Sequence, residues 1–167
     1  MADPLATRSA PFAGRDTASG HEFESGLPDP NDMPELYADI PAKRAFAWVI
    51  DVIVISLLSL LLTPLTLFTS IFFFPLFFLC IGYAYRVTTL ARKSATWGMR
   101  LLSIEIRDHM GDRLTLSSAF LHTTGYVVSV TIFPLQLISA VLMLSTPRAQ
   151  GLTDMMLGSA AINRTTI

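Results

Sequence analysis

Two long apolar runs dominate the middle of the chain, and each contains a single formal charge. We place the runs at about 45–66 and 71–90, where the lone charges are Asp51 and Arg86. About 20 mostly apolar residues are enough to cross a hydrocarbon core of roughly 30 Å, so both runs predict membrane-spanning helices. The uncharged connection between them contains Pro64 and is typical of a tight turn, so the pattern predicts a helical hairpin.

A third apolar stretch, at about 119–146, is too long for one upright span and has Pro134 near its centre. Two arrangements compete. In the first, a single kinked span takes the C-terminus to the opposite side of the membrane. In the second, the chain bends near Pro134 into two short, re-entrant membrane helices and returns to the side from which it came. Arg148, directly after the stretch, favours the return, and we expect the bent arrangement.

The connection between the second and third stretches changes its period. Polar and apolar residues alternate over 103–107, and they alternate again over 113–116 after a turn that contains Gly111. Alternation of this kind around a glycine-containing turn predicts a β-hairpin. Because an isolated hairpin is only marginally stable, Ala160–Ile162 is a candidate for a third strand. The predicted fold class is therefore an all-α membrane protein: a helical hairpin, a third kinked or re-entrant apolar segment, and a small cytoplasmic β-hairpin.

The composition agrees with a membrane protein, since 51% of the 167 residues are hydrophobic and only 15% are charged. The N-terminal part differs from the rest. Its first 43 residues carry eight acidic residues against three basic ones and are rich in proline. Such a segment buries too little apolar surface to offset the entropy that ordering costs. We therefore predict a disordered acidic tail over 1–36 and a transmembrane domain over 37–167.

The placement of lysine and arginine indicates the orientation. Lys43 and Arg44 precede the first span, and a basic cluster of Arg92, Lys93 and Arg100 follows the second. Because cytoplasmic flanks are enriched in these residues, we expect a cytoplasmic N-terminus and, with the bent arrangement, a cytoplasmic C-terminus. The expected location is the bacterial inner membrane, crossed several times. The basic cluster itself indicates a topology determinant and a contact for anionic lipid.

Asp51 is the strongest candidate for chemistry, because a short ionisable side chain at membrane depth is costly and is by default paired or part of a polar pathway. Arg44 lies seven residues earlier, close to two helical turns, and so shares its helix face. Arg86 lies at a similar depth, about 10 Å, in the antiparallel second span and is, along with Arg44, the predicted charge partner of Asp51. Two interpretations stay open: Asp51 fixes helix packing, or it handles ions or protons.

Other chemistries are not indicated. The three histidines, His21, His109 and His122, are scattered without metal-ligand spacing, and no nucleophile, zinc or phosphate-loop motif occurs. The lone cysteine, Cys80, allows neither an intramolecular disulfide nor a thiolate metal site. We therefore expect no catalytic centre, no enzymatic activity, no cofactor, no metal ion and no nucleic-acid partner.

Three motifs, in this order and spacing, resemble the RDD family of small polytopic membrane proteins. The segment RAFAWVID places Arg44 and Asp51 in an R-x-x-A-x-x-I-D pattern. Thr96–Leu102 is similar to a T-x-G-x-R-L-L stretch that leads into a cytoplasmic hairpin. GLTDMMLGSAAI is similar to a closing H-D-x-x-x-G-T signature, with Asp154 as its aspartate. The resemblance covers about 37–164.

The resemblance implies that Arg44, Asp51 and Asp154 form the family's signature and a possible ion-handling set, while His122 stands where the family often has an arginine. The family's activity is largely unsettled, and a transport-like role is attributed to some members. The expected function is a non-enzymatic membrane accessory or scaffold protein. The alternative is a small proton or monovalent-cation transporter that uses the intramembrane aspartate. Expected partners are membrane lipids, other membrane proteins or further copies of this chain.

Overall fold

The structure is a computed structural model that describes residues 25–66 and 69–164. Six α-helices and two strands are present in these residues, in the order α1 Ile40–Leu62, α2 Phe74–Lys93, α3 Trp97–Leu101, β1 Ile104–Arg107, α4 Leu116–Thr131, α5 Phe133–Ser145, α6 Leu152–Leu157 and β2 Ala160–Asn163. The fold is thus mostly helical, with one small sheet.

The helices α1 and α2 form the predicted hairpin. Both are long and apolar enough to cross a membrane. They run antiparallel, since Asp51 meets Tyr85 whereas Ile55, one turn further along α1, meets Gly82, an earlier residue of α2. The connection contains two short 3-10 turns, one of which begins with the predicted proline. Both helices also extend beyond the predicted spans at the end that carries the basic residues.

The exposed surface of α1 is apolar, whereas its buried residues include the small or polar Ala47, Asp51 and Ser59 beside Ile40 and Ile55. Its buried stripe repeats every four residues and comprises Ala47, Asp51, Ile55 and Ser59. Its outward face exposes more than half of the side chains of Phe46, Ile53, Leu57, Leu60 and Leu61. In water this distribution would be reversed, because large apolar side chains gain most from burial. Small residues inside and large apolar residues outside are typical of helices that pack within lipid.

The third apolar stretch forms two helices, α4 and α5. The chain direction bends by 115° between them, at Ile132. The predicted bend near Pro134 is therefore present. Pro134 lies in the first turn of α5, where the missing backbone N–H removes no intrahelical hydrogen bond. The proline begins a new helix instead of kinking a continuous one.

The predicted β-hairpin over 103–116 is wrong in its second strand. Arg113 makes only an isolated bridge to Arg107, and the next residues enter α4, because the Thr115 hydroxyl accepts a hydrogen bond from Ser118 N and caps that helix. The sheet instead pairs β1 with β2 in antiparallel register, with Ile106 opposite Ala161. The predicted pairing of Ala160–Ile162 with this region is present.

Both faces of the two-stranded sheet are covered, which explains how so small a sheet is stable. One face packs on the main core, which gathers residues from the ends of α1, α2 and α4 and from α3. Its members include Ile40, Leu90, Met99, Ile104 and Ile106. The other face packs on a second cluster that the N-terminal segment supplies. The core therefore lies at one end of the helix bundle.

Residues 1–24 of the predicted disordered tail lie outside the described residues. The segment from Gly26 onward packs against the domain: Gly26 N donates to His109 O at 2.8 Å, and Leu27 and Leu36 are buried against Ile162. The aliphatic residues of this segment thus cover the sheet. Packing therefore extends upstream of the predicted boundary at residue 36.

Candidate functional site

Asp51 lies in the middle of the bundle and is 1% exposed. Its Oδ1 accepts two hydrogen bonds, from Tyr85 Oη at 2.8 Å and from Gly98 N at 2.9 Å. Its Oδ2 lies 3.9 Å from Arg86 Nη2. One carboxylate therefore joins α1, α2 and α3.

The guanidinium of Arg86 has a second partner. Its Cζ lies 4.1 Å from the centre of the Tyr126 ring, a cation–π distance, and its Nη2 lies 3.4 Å from Tyr126 Oη. Tyr126 Oη in turn accepts a hydrogen bond from Trp48 Nε1 at 2.8 Å. The Asp51 cluster, which comprises Asp51, Tyr85, Arg86, Gly98 and Tyr126, thus reaches α4 as well.

Asp154 forms the second buried cluster and is also 1% exposed. Arg44 Nη1 donates to its Oδ2, and His122 Nε2 lies 2.8 Å from its Oδ1. An ionised carboxylate only accepts hydrogen bonds, so His122 carries a proton on Nε2. Gly151 N and Ser159 Oγ complete this Asp154 cluster, at 3.0 and 3.4 Å. It joins α1, α4 and the C-terminal part of the domain.

Charge stabilises the ionised form of Asp154. Burial alone raises the pKa of a carboxyl group, because desolvation penalises the anion. Here the Arg44 guanidinium and the hydrogen-bonded His122 outweigh burial and hold the pKa of Asp154 well below its ordinary value. The group is therefore an anion at neutral pH.

Close backbone approaches position both carboxylates. A Cβ on Gly98 would lie 2.2 Å from the carbonyl oxygen of Ala47, so only glycine lets α3 come near enough for its N–H to reach Asp51. Asp154 is the third residue of the short helix α6, from which its side chain reaches back to the N–H that precedes the helix. At Gly125 a Cβ would come 2.6 Å from the Thr153 side chain, and this small residue lets α4 meet α6.

The two clusters share a cavity of about 830 Å³ between α1 and the bent pair α4–α5, which we call the central cavity. Arg44, Arg86 and both aspartates belong to its wall. Polar side chains from the bend, Ser129, Gln136 and Ser139, line it as well.

The predicted site residues are thus divided between two clusters. Asp51 lies beside Arg86, whereas Arg44 is paired with Asp154 and not with the aspartate on its own helix. Among the described residues, no group of three or more His, Cys, Asp or Glu side chains could hold a metal ion.

Sequence reasoning missed three side chains of the clusters. Tyr85 is buried and donates a hydrogen bond to Asp51. Its position next to Arg86 was the available signal. His122 has no metal-ligand spacing to the other histidines, but it stands where the family often has an arginine. In the structure it donates a hydrogen bond to Asp154. For Tyr126 the sequence offers no local signal, because its partner arginine is 40 residues away.

The fold and these clusters define a class: a mostly helical chain with two or three apolar segments able to span a membrane and with buried arginine–carboxylate pairs. The RDD family model matches residues 40–158, and the chain belongs to the RDD family. No curated protein and no solved structure matches the chain. Family and apolar helices together indicate a membrane protein.

Proposed function

We propose that this RDD protein is a non-enzymatic accessory or scaffold protein of the bacterial inner membrane. The observation that carries the proposal is the engagement of both buried carboxylates by donors from different elements. Asp51 accepts hydrogen bonds from Tyr85 and Gly98 and lies beside the Arg86 guanidinium. Asp154 is paired with Arg44. Such contacts between buried polar groups fix the positions of the helices relative to one another.

A proton-carrying carboxylate needs a different environment. It must exchange its proton during the cycle, so the ionised and neutral forms must lie close in free energy. Around Asp154, one guanidinium and three further polar groups favour the anion. Around Asp51, two hydrogen-bond donors contact Oδ1 and the Arg86 guanidinium lies 3.9 Å from Oδ2. These surroundings support a structural role over a cycling one.

The proposed orientation puts the sheet on the cytoplasmic side. Lys43 and Arg44 at the start of α1 and Arg92 and Lys93 at the end of α2 lie at the same end of the hairpin as the sheet. An excess of basic residues marks the cytoplasmic flank of membrane spans. Partners that contact the exposed apolar faces of the helices would be other membrane proteins or further copies of this chain.

Ion flux in reconstituted vesicles tests the proposal. The purified chain is placed in vesicles with a pH-sensitive dye, and proton, Na⁺ or K⁺ gradients are imposed, with an ionophore as positive control. We expect fluxes equal to those of empty vesicles. The double variant Asp51→Asn with Arg86→Leu is the matched comparison, because it removes both charges of the Asp51–Arg86 pair together. A flux that the double variant abolishes while remaining folded would overturn the scaffold proposal.

That outcome would favour the second candidate function, a small proton or monovalent-cation transporter. The central cavity is the specific observation in its favour, since a volume of about 830 Å³ has both aspartates in its wall. Hydroxyl and amide groups at the bend, from Ser129 and Gln136, could solvate an ion there.

A further inference from the structure

A second cavity, of about 510 Å³, lies between α1, α2 and α3. We call it the basic cavity. Its wall includes Arg92, Lys93 and Arg100 at one end and Val54 and Leu58 at the other, and no acidic residue lines it. Within the described part of the chain, none of the three basic side chains takes part in an ion pair with a carboxylate.

The basic cavity is amphipathic along the membrane normal. Asp51 and Tyr85 lie at one depth, because they are hydrogen-bonded. Arg92 is seven residues from Tyr85 towards the helix end, and Leu58 is seven residues from Asp51 in the opposite direction, so each lies about 10 Å from that depth. Arg92 and Leu58 are thus separated by about 20 Å along the bundle.

These dimensions and charges fit one class of ligand. We propose that the basic cavity binds an anionic phospholipid, whose phosphate lies among Arg92, Lys93 and Arg100 and whose acyl chain lies along Val54 and Leu58. Guanidinium groups suit phosphate oxygens because their N–H donors match the geometry of the anion. Trp97, which is 58% exposed and also belongs to the wall, supplies an amphipathic ring at the level where headgroup and acyl chain meet.

A free phosphate compound is the other source of the same headgroup chemistry. The apolar end of the cavity argues against it, because a soluble ligand would leave Val54 and Leu58 without an apolar partner. The site rests on the proposed membrane location but not on the scaffold function. Flux and lipid binding are separate measurements, so the two proposals can fail independently.

Lipid binding by the purified full-length chain in neutral detergent tests the site. Phosphatidylglycerol, phosphatidylcholine and inorganic phosphate are the probes, and native mass spectrometry measures their apparent affinities. We expect phosphatidylglycerol to bind at least tenfold more tightly than phosphatidylcholine. Each basic side chain near a membrane surface contributes about fivefold to anionic-lipid binding, so R92Q/K93Q/R100Q should weaken phosphatidylglycerol binding about 100-fold.

Two further variants keep the test decisive. W97A retains every charge and should weaken binding severalfold through the apolar contact alone, which covers the case in which the triple variant does not fold. R113Q is the matched control, because it removes an exposed arginine outside the cavity and should leave binding unchanged. Equal affinity for both lipids, unchanged binding by the folded variants of the cavity, or equal binding of inorganic phosphate would each overturn the proposal.

Discussion

At the residue scale, the Asp51–Arg86 contact places a positive charge beside a buried negative one inside the bundle. Removing Arg86 alone leaves a buried carboxylate without its cation, which costs about 3–5 kcal/mol, whereas removing both charges avoids that cost. We therefore expect Arg86→Leu to lower the yield of folded protein and Asp51→Asn with Arg86→Leu to recover part of it, measured by size-exclusion chromatography in detergent. Arg113→Leu, at an exposed position, is the control and should fold normally. A double variant no better than Arg86→Leu would show that the residues are not coupled.

The lowered pKa of Asp154 makes a prediction about pH. A carboxyl group whose pKa is lower in the folded state stabilises the fold fully above the pKa of an unfolded aspartate, about 3.9, and loses that contribution as pH falls towards the folded value. We expect the thermal unfolding midpoint to fall as the pH drops below about 4, and to fall less in Asp154→Asn. Differential scanning fluorimetry of both proteins measures this, and parallel pH curves would contradict it.

The two clusters differ in how far the sequence could predict them. The depth of Asp51 and Arg86 follows from the helix rise per residue and the short turn between the helices. Their proximity could therefore be calculated from the sequence. The partner of Arg44 was not, because Asp154 is 110 residues away and lies on a short helix whose position depends on the bend before it. Local periodicity carries no information on such a contact.

At the element scale, the close packing of α3 on α1 depends on Gly98. A methyl group there would collide with the backbone of Ala47, which cannot move aside as a flexible side chain can. We expect Gly98→Ala to lower the free energy of unfolding by about 2–3 kcal/mol, through displacement of α3 and loss of the N–H contact to Asp51. Chemical unfolding in detergent measures the change.

Gly82→Ala is the matched control within the same bundle. A Cβ at Gly82 would meet only the Ile55 side chain, at an ordinary 3.5 Å, and alanine is the better helix former. Its stability should be unchanged or slightly higher. Equal losses from both substitutions would show that the Ala47 contact does not control packing.

The elements themselves were predictable where a long pattern repeated. Apolar runs gave the α1–α2 hairpin, and Pro134 with the excess length gave the bend. The short strands were harder. Residues 113–116 alternate as a strand does, yet Leu114 N bonds to the Ser94 side chain and Thr115 caps α4. Tertiary contacts and a helix cap therefore override a four-residue alternation.

At the scale of the whole molecule, the N-terminal and C-terminal ends of the domain are joined by hydrogen bonds. Asn163 in β2 accepts a hydrogen bond from Lys43 Nζ at 2.7 Å and donates to the backbone carbonyls of Glu35 and Ala38. The pairing of β2 with β1 adds the middle of the chain to this contact. These strands lie on one side of the helices, so residues before α1, after β1 and after α6 share that side.

This shared side predicts the pattern of labelling in cells. In a Cys80→Ser background, we expect Asn31→Cys and Asp112→Cys to react with a membrane-impermeant maleimide only after the inner membrane is permeabilised, because both exposed positions lie on the basic side, for which we propose a cytoplasmic location. Phe72→Cys, which is 84% exposed at the opposite end of the α1–α2 hairpin, should react in intact spheroplasts. Labelling of Asn31→Cys and Asp112→Cys on different sides would contradict the fold. Labelling of both from outside would reverse the proposed orientation and leave the fold unchanged.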